Sequence, residues 1–265
     1  MRIRPTVSVG LGVWALYIVV ILTIQGTSGI AYPAMGDSAG NLWRSANLSL
    51  LVGGLLVAGL AIWMRWWRPA LRDVHRAGPT WTLAAPGLYL IIALGTLLTT
   101  DWESVGLDFV AAALAVGILV GFAEEFVCRG MLVVGLRGSF REVWVWALSC
   151  VFFGLMHGIN IVLGAPVGDT AGQIVRAAVM GSALYLLRRV TGRLVWAMLL
   201  HGLWDFSIFV AVQSGAGTTI LAFVVLIAEP LALVGGFLVA LNTDRGRREQ
   251  YAVDRSVRGK DLPRR

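Results

Sequence analysis

Apolar runs long enough to cross a bilayer recur eight times along the chain, at about residues 7–25, 47–64, 82–99, 105–136, 143–163, 171–187, 194–213 and 218–241. A crossing helix takes about 20 mainly apolar residues, so these runs occupy most of the 265 residues and leave no room for a separate soluble domain. With 57% hydrophobic and 14% charged residues and a mean hydropathy of +0.77, the chain is not a water-soluble globule, a disordered chain, a collagen or a disulfide scaffold. The pattern predicts an all-α, polytopic membrane protein of about eight transmembrane helices. A single transmembrane domain is expected over residues 1–241, followed by a polar, basic tail over 242–265 without regular structure. The first run follows Arg2 and Arg4 and exceeds the 7–15 apolar residues of a signal-peptide core, so it is read as a retained anchor.

The positive charges give the orientation, because cytoplasmic loops and ends collect Lys and Arg. Nineteen of the 22 lie before the first run or after the second, fourth, sixth and eighth. Arg44 is the exception in a loop, and Arg129 and Arg176 fall inside runs. Both termini are therefore expected in the cytoplasm of a multi-pass protein of the cell membrane. The net charge of +7 is explained by this topology and by attraction of the tail to anionic headgroups, so the expected partner is the lipid bilayer and not nucleic acid. Trp63, Trp66, Trp67 and Trp81 flank the loop after the second run and read as an interfacial belt. Cys128 and Cys150 sit in apolar stretches and read as small buried residues rather than a disulfide pair.

Ionisable residues inside a span are costly and mark candidate sites. The fourth run carries Glu124, Glu125 and Arg129, the fifth His157, and the seventh His201 and Asp205. Glu125 and Arg129 are four apart in the order that favours a helical ion pair. Glu124, rotated about 100° from its neighbour, is free to face elsewhere. His201 and Asp205 share a face in the same way, and His157 lies at a depth compatible with both clusters. A surplus carboxyl group in such a site suits a general base working near neutral pH.

The three motifs, Glu124-Glu125-x-x-x-Arg129, Phe153-x-x-x-His157 and His201-x-x-x-Asp205, resemble those of the CAAX protease and bacteriocin-processing family (CPBP, or Abi), intramembrane endopeptidases that include the type II CAAX prenyl endopeptidases. The resemblance covers about residues 120–206, within a motif-bearing core of about 105–213, and implies a CAAX-protease-like bundle. It implies that Glu124 activates a water with help from His157. His201 and Asp205 would stabilise the oxyanion or orient the group that does, with Glu125 and Arg129 as supporting residues that hold the first glutamate in place. The site is expected to open toward the cytoplasmic leaflet. Many members carry asparagine where this chain has Asp205; an ionised aspartate cannot donate a hydrogen bond, so the donor role would pass to His201.

No metal or other cofactor is favoured, but the ligand types would suit a divalent ion such as zinc, so glutamic and metallo-type peptidase mechanisms both stand at this stage. Implied substrates are membrane-associated peptides or proteins: prenylated CAAX-like tails, peptide pheromones, bacteriocin leaders and membrane-protein tails are all open. Two other readings compete with a protease. One is a non-catalytic membrane scaffold or bacteriocin-immunity protein with the same fold. The other is a proton-coupled transporter using the acids and histidines as a relay. Among the remaining residues of the spans, Asn160 is expected to bond across helices, Phe153 to pack beside the site, and Arg176 and Glu229 to snorkel or pair.

Overall fold

The computed structural model describes residues 1–73, 76–215 and 222–260. Among these, eight helices are long and apolar enough to cross a membrane. They are α1 (Val7–Thr27), α2 (Ala39–Met64), α3 (Thr80–Thr99), α4 (Leu107–Leu136), α5 (Glu142–Val162), α6 (Val167–Thr191), α7 (Val195–Gln213) and α8 (Ala222–Lys260), whose apolar part is Phe223–Arg245. No strand forms among the described residues. The chain is a multi-pass, all-helical membrane protein, and the eight runs read from the sequence coincide with these helices to within a few residues. The exceptions are α2 and α6, which begin earlier, at Ala39 and Val167. The start of the last run, 218–221, lies outside the described residues.

In a bilayer the apolar effect does not drive helices together, and association depends on close packing and polar contacts. The packing of α4 on α7 shows how this is met. A Cβ on Gly117 would lie 2.5 Å from the carbonyl oxygen of Gly202, and one on Gly121 would lie 2.3 Å from that of Met198. Backbone therefore touches backbone along this seam. Gly117, Gly121 and Glu125 follow at intervals of four, so the glycine face of α4 ends on Glu125. A second close approach joins α5 to α6, where a Cβ on Gly154 would lie 2.4 Å from the carbonyl oxygen of Ile174. Replacing Gly121 with Leu is expected to force α4 and α7 apart and to destabilise the protein by about 1–3 kcal/mol or more, with loss of whatever activity the seam supports. Thermal unfolding in detergent is the check.

The end of the bundle that carries the basic loops is pinned by buried charge. Asp73 accepts from Arg137 (2.7 Å), Arg188 (3.0 Å) and Arg189 (2.5 Å), and Glu142 accepts from Arg137 (2.5 Å) and the Tyr185 hydroxyl (2.9 Å). Burial by itself would raise the Asp73 carboxyl, but Arg188, Arg137 and Arg189 hold it well below the usual carboxylate range.

The same end corrects two expectations. The basic tail continues α8 as a helix to Lys260 instead of losing structure at Asn242; residues 261–265 lie outside the described residues. Asp244 accepts from the backbone N–H groups of Glu142 (2.8 Å) and Val143 (3.2 Å), capping α5, and Thr243 accepts from Arg189 (3.2 Å). These bonds fix the start of the tail, and helix propagates cheaply from an existing turn through a segment rich in arginine, a good helix former. In the tryptophan belt, Trp63, Trp67 and Trp81 are exposed, but Trp66 is fully buried and donates its indole N–H to Ile3 (2.8 Å). It clamps the amino terminus instead of lying at the interface. Cys128 and Cys150 are buried free thiols, as expected.

Candidate active site

Because the seam between α4 and α7 is closed by backbone contact, the residue one turn beyond it on α4 must meet α7. That residue is Glu125. Its Oε1 accepts from Arg129 Nη1 at 2.9 Å and from His201 Nδ1 at 3.0 Å, and all three side chains are buried. The Glu125–Arg129 pair anticipated from the spacing forms, but the bond leading out of it goes to His201 and not toward Glu124. Directly after the two glutamates, the chain widens into a π-helical turn over Phe126–Leu132, a departure that often marks functional positions. Arg129 lies over the Phe153 ring, 3.6 Å from its centroid, and both His157 and His201 meet that ring edge-on at 5.4 Å. Phe153 thus does more than pack beside the site: it is the common surface against which Arg129 and the two imidazoles are set.

His157 closes the regular part of α5. Its backbone N–H turns to Gly154 (3.0 Å), which leaves the Phe153 carbonyl without its helical donor. The imidazole Nδ1 takes that carbonyl at 3.0 Å. A carbonyl only accepts, so Nδ1 carries hydrogen and Nε2 of the neutral ring keeps its lone pair. On His201 the bond to Glu125 likewise commits Nδ1–H, and Nε2 lies 3.9 Å from Asp205 Oδ1.

Glu124, His157, His201 and Asp205 all line one cavity of about 530 Å³. Glu124 faces it with no hydrogen-bond partner among the described residues, while its neighbour Glu125 is enclosed in protein. From this cluster the cavity runs past Gln25, Asn160 and Phe209 to Tyr32 and Pro33, in the connection between α1 and α2. It therefore extends toward the end of the bundle opposite the basic loops, away from the end at which the opening is expected from the sequence. The basic end is filled by the charge network around Asp73 and Glu142. Asn160 donates to Gln173 (2.9 Å), which donates to the Tyr32 hydroxyl (3.0 Å), a polar chain across α5, α6 and the α1–α2 connection. Burial raises the Tyr32 hydroxyl above its ordinary pKa, so it stays protonated at neutral pH. Arg176 and Glu229 were expected to snorkel or pair. Both line the cavity; Arg176 is exposed and snorkels, its guanidinium running back beside Gly172 toward the start of α6, and neither residue forms an ion pair within 4 Å among the described residues.

A metal site needs three or more converging donors. Among the described residues no three His, Cys, Asp or Glu side chains are so arranged. The donors as placed do not fit a three-ligand ion, so the chemistry below is drawn from the side chains themselves.

Helices crossing at a glycine seam thus place, in one cavity of the bundle, two imidazoles and a glutamate that has no hydrogen-bond partner among the described residues. Residues 106–207 match the family model described as Type II CAAX prenyl endopeptidase Rce1-like. The match spans α4 to α7 and contains all three motifs, in agreement with the resemblance read from them. This part of the chain is thus similar to CAAX-type membrane proteases. No match is found among curated proteins or among solved structures.

Proposed function

We propose that the protein is an intramembrane endopeptidase that hydrolyses peptide bonds of membrane-associated substrates with a water activated by Glu124. The observation that carries this reading is the asymmetry of the paired glutamates: Glu125 is bound by Arg129 and His201, whereas Glu124 faces the cavity with no hydrogen-bond partner among the described residues. A water between Glu124 and His157 would give one hydrogen to the carboxylate and point the other at the bare Nε2 of His157. As its oxygen bonds to the scissile carbonyl carbon, the proton passes to Glu124. The carbonyl oxygen takes up the charge and is met by His201, whose Nε2–H donates when the ring is protonated. Glu124 then returns the proton to the departing amide nitrogen as the C–N bond breaks. Asp205, beside Nε2, fits a group that orients His201.

The test is cleavage of quenched-fluorescent peptides, prenylated and plain, by purified protein with and without a strong chelator. Cleavage that survives chelation supports the water–glutamate mechanism, and loss on chelation returns the argument to a metal.

The basic loops and both termini are assigned to the cytoplasmic side of the cell membrane, which turns the cavity mouth outward. An impermeant maleimide applied to intact cells is then expected to label Asp37→Cys and to spare Ser139→Cys. The buried native thiols keep the background low. The reverse labelling pattern would invert the assignment.

A further inference from the structure

Arg176 is the tenth residue of α6, about 14 Å along the axis from the first. Its side chain runs back toward the start of the helix and sets the guanidinium beside Gly172; a permanent cation within a span is expensive unless it is paired, reaches the interface or faces a polar cavity. It has no ion-pair partner among the described residues, and it is the only arginine or lysine among the residues that line the cavity. Gln173, Arg176, Ala177 and Met180 form one cavity-facing stripe of α6. In the same cavity wall, the Tyr32 hydroxyl accepts from Gln173 of α6 (3.0 Å), which leaves its own O–H to donate. The catalytic end of the cavity, with Glu124 and Asp205, repels anions. The Arg176 end offers them a guanidinium and a hydroxyl.

From this geometry we infer that Arg176, with Tyr32, forms a carboxylate-binding subsite that positions the substrate peptide. The inference rests on the endopeptidase reading above. Ile174 marks the level of His157 on α6, since a Cβ on Gly158, the next residue after His157, would lie 3.9 Å from the Ile174 side chain, and one on Gly154 would lie 2.4 Å from the Ile174 carbonyl oxygen. Arg176 stands near that level, and its guanidinium folds back along α6 to Gly172, four residues or about 6 Å along the axis, which is the rise of roughly two residues of extended peptide. A carboxylate held there sets the scissile bond two to three residues away. The carboxylate is either the carboxyl terminus of the peptide or an acidic side chain near the cleaved bond.

A fluorescein-labelled apolar dodecapeptide made as the free acid, as the carboxamide, and as the carboxamide with one internal Asp separates these sources. Binding is measured by anisotropy on the Glu124→Gln protein, and kcat/KM on the protein with Glu124 intact. The expected result is at least tenfold preference for one of the acidic peptides over the plain carboxamide, the preferred one identifying the source. Arg176→Gln should reduce that preference at least tenfold, Tyr32→Phe by a smaller factor, and Arg176→Lys should restore part of it through charge without the bidentate fork. Equal binding of all three peptides, or a preference unchanged in Arg176→Gln, overturns the subsite. Preferential binding without any cleavage would keep the subsite and overturn the protease reading instead.

Discussion

Glu124→Gln is expected to lower peptide cleavage by about 10²–10⁴-fold, the usual contribution of a positioned general base, with no change in thermal stability. The substitution keeps the shape of the side chain and removes only its ability to take a proton. Glu124 has no hydrogen-bond partner to lose among the described residues, so the fold has little reason to respond. Glu125→Gln, one residue on, should behave differently. It weakens the acceptor shared by Arg129 and His201 in fully buried surroundings, so activity and stability should fall together. Parallel assays of cleavage and of unfolding temperature separate the two cases. Undiminished function in a Glu124→Ala, His157→Ala double variant would sink the enzyme reading and favour a scaffold with the same fold.

Asp73→Ala is expected to destabilise the protein by about 3–5 kcal/mol, the range for breaking a buried ion pair from one side. Asp73 is the common acceptor for Arg137, Arg188 and Arg189, and its loss leaves Glu142 as the remaining carboxylate of the network. The pH dependence has a definite sign. The folded-state pKa of Asp73 lies below its unfolded value of about 4. The stability that Asp73 contributes is therefore present above about pH 4 and is lost as pH falls through the folded-state value. Unfolding temperature measured across acid pH for wild type and Asp73→Ala should converge as the pH drops. Curves that stay parallel would show that Asp73 is not held by charge.

The spans were readable from the sequence because apolar length is set by the bilayer and needs no tertiary knowledge. The Glu125–Arg129 pair was readable for a similar reason, since an interval of four on a helix decides it locally. What the sequence did not disclose depends on contacts between distant segments. The bond between Glu125 and His201 follows from where Gly117 and Gly121 let α7 approach, and the small-xxx-small spacing of those glycines was the available signal. Asp73 and Glu142 passed unnoticed because both sit at loop and helix ends, where charge is ordinary; only the fold collects three arginines around them. The helical continuation beyond Asn242 was missed because helix there depends on anchoring through Thr243 and Asp244, which composition does not register. The direction of the cavity likewise needed the helices in place.

The charge network and the cavity occupy opposite ends of the same helices, and this divides the molecule mechanically. Backbone amides near Asp73, Glu142 and Arg188 should exchange hydrogen only when the whole bundle comes apart. Those around Tyr32, Asn160 and the start of α6 can open in smaller fluctuations, because fewer buried bonds hold them. The helices then behave like tines fixed at one end, able to part around an entering chain at the other while the root keeps its register.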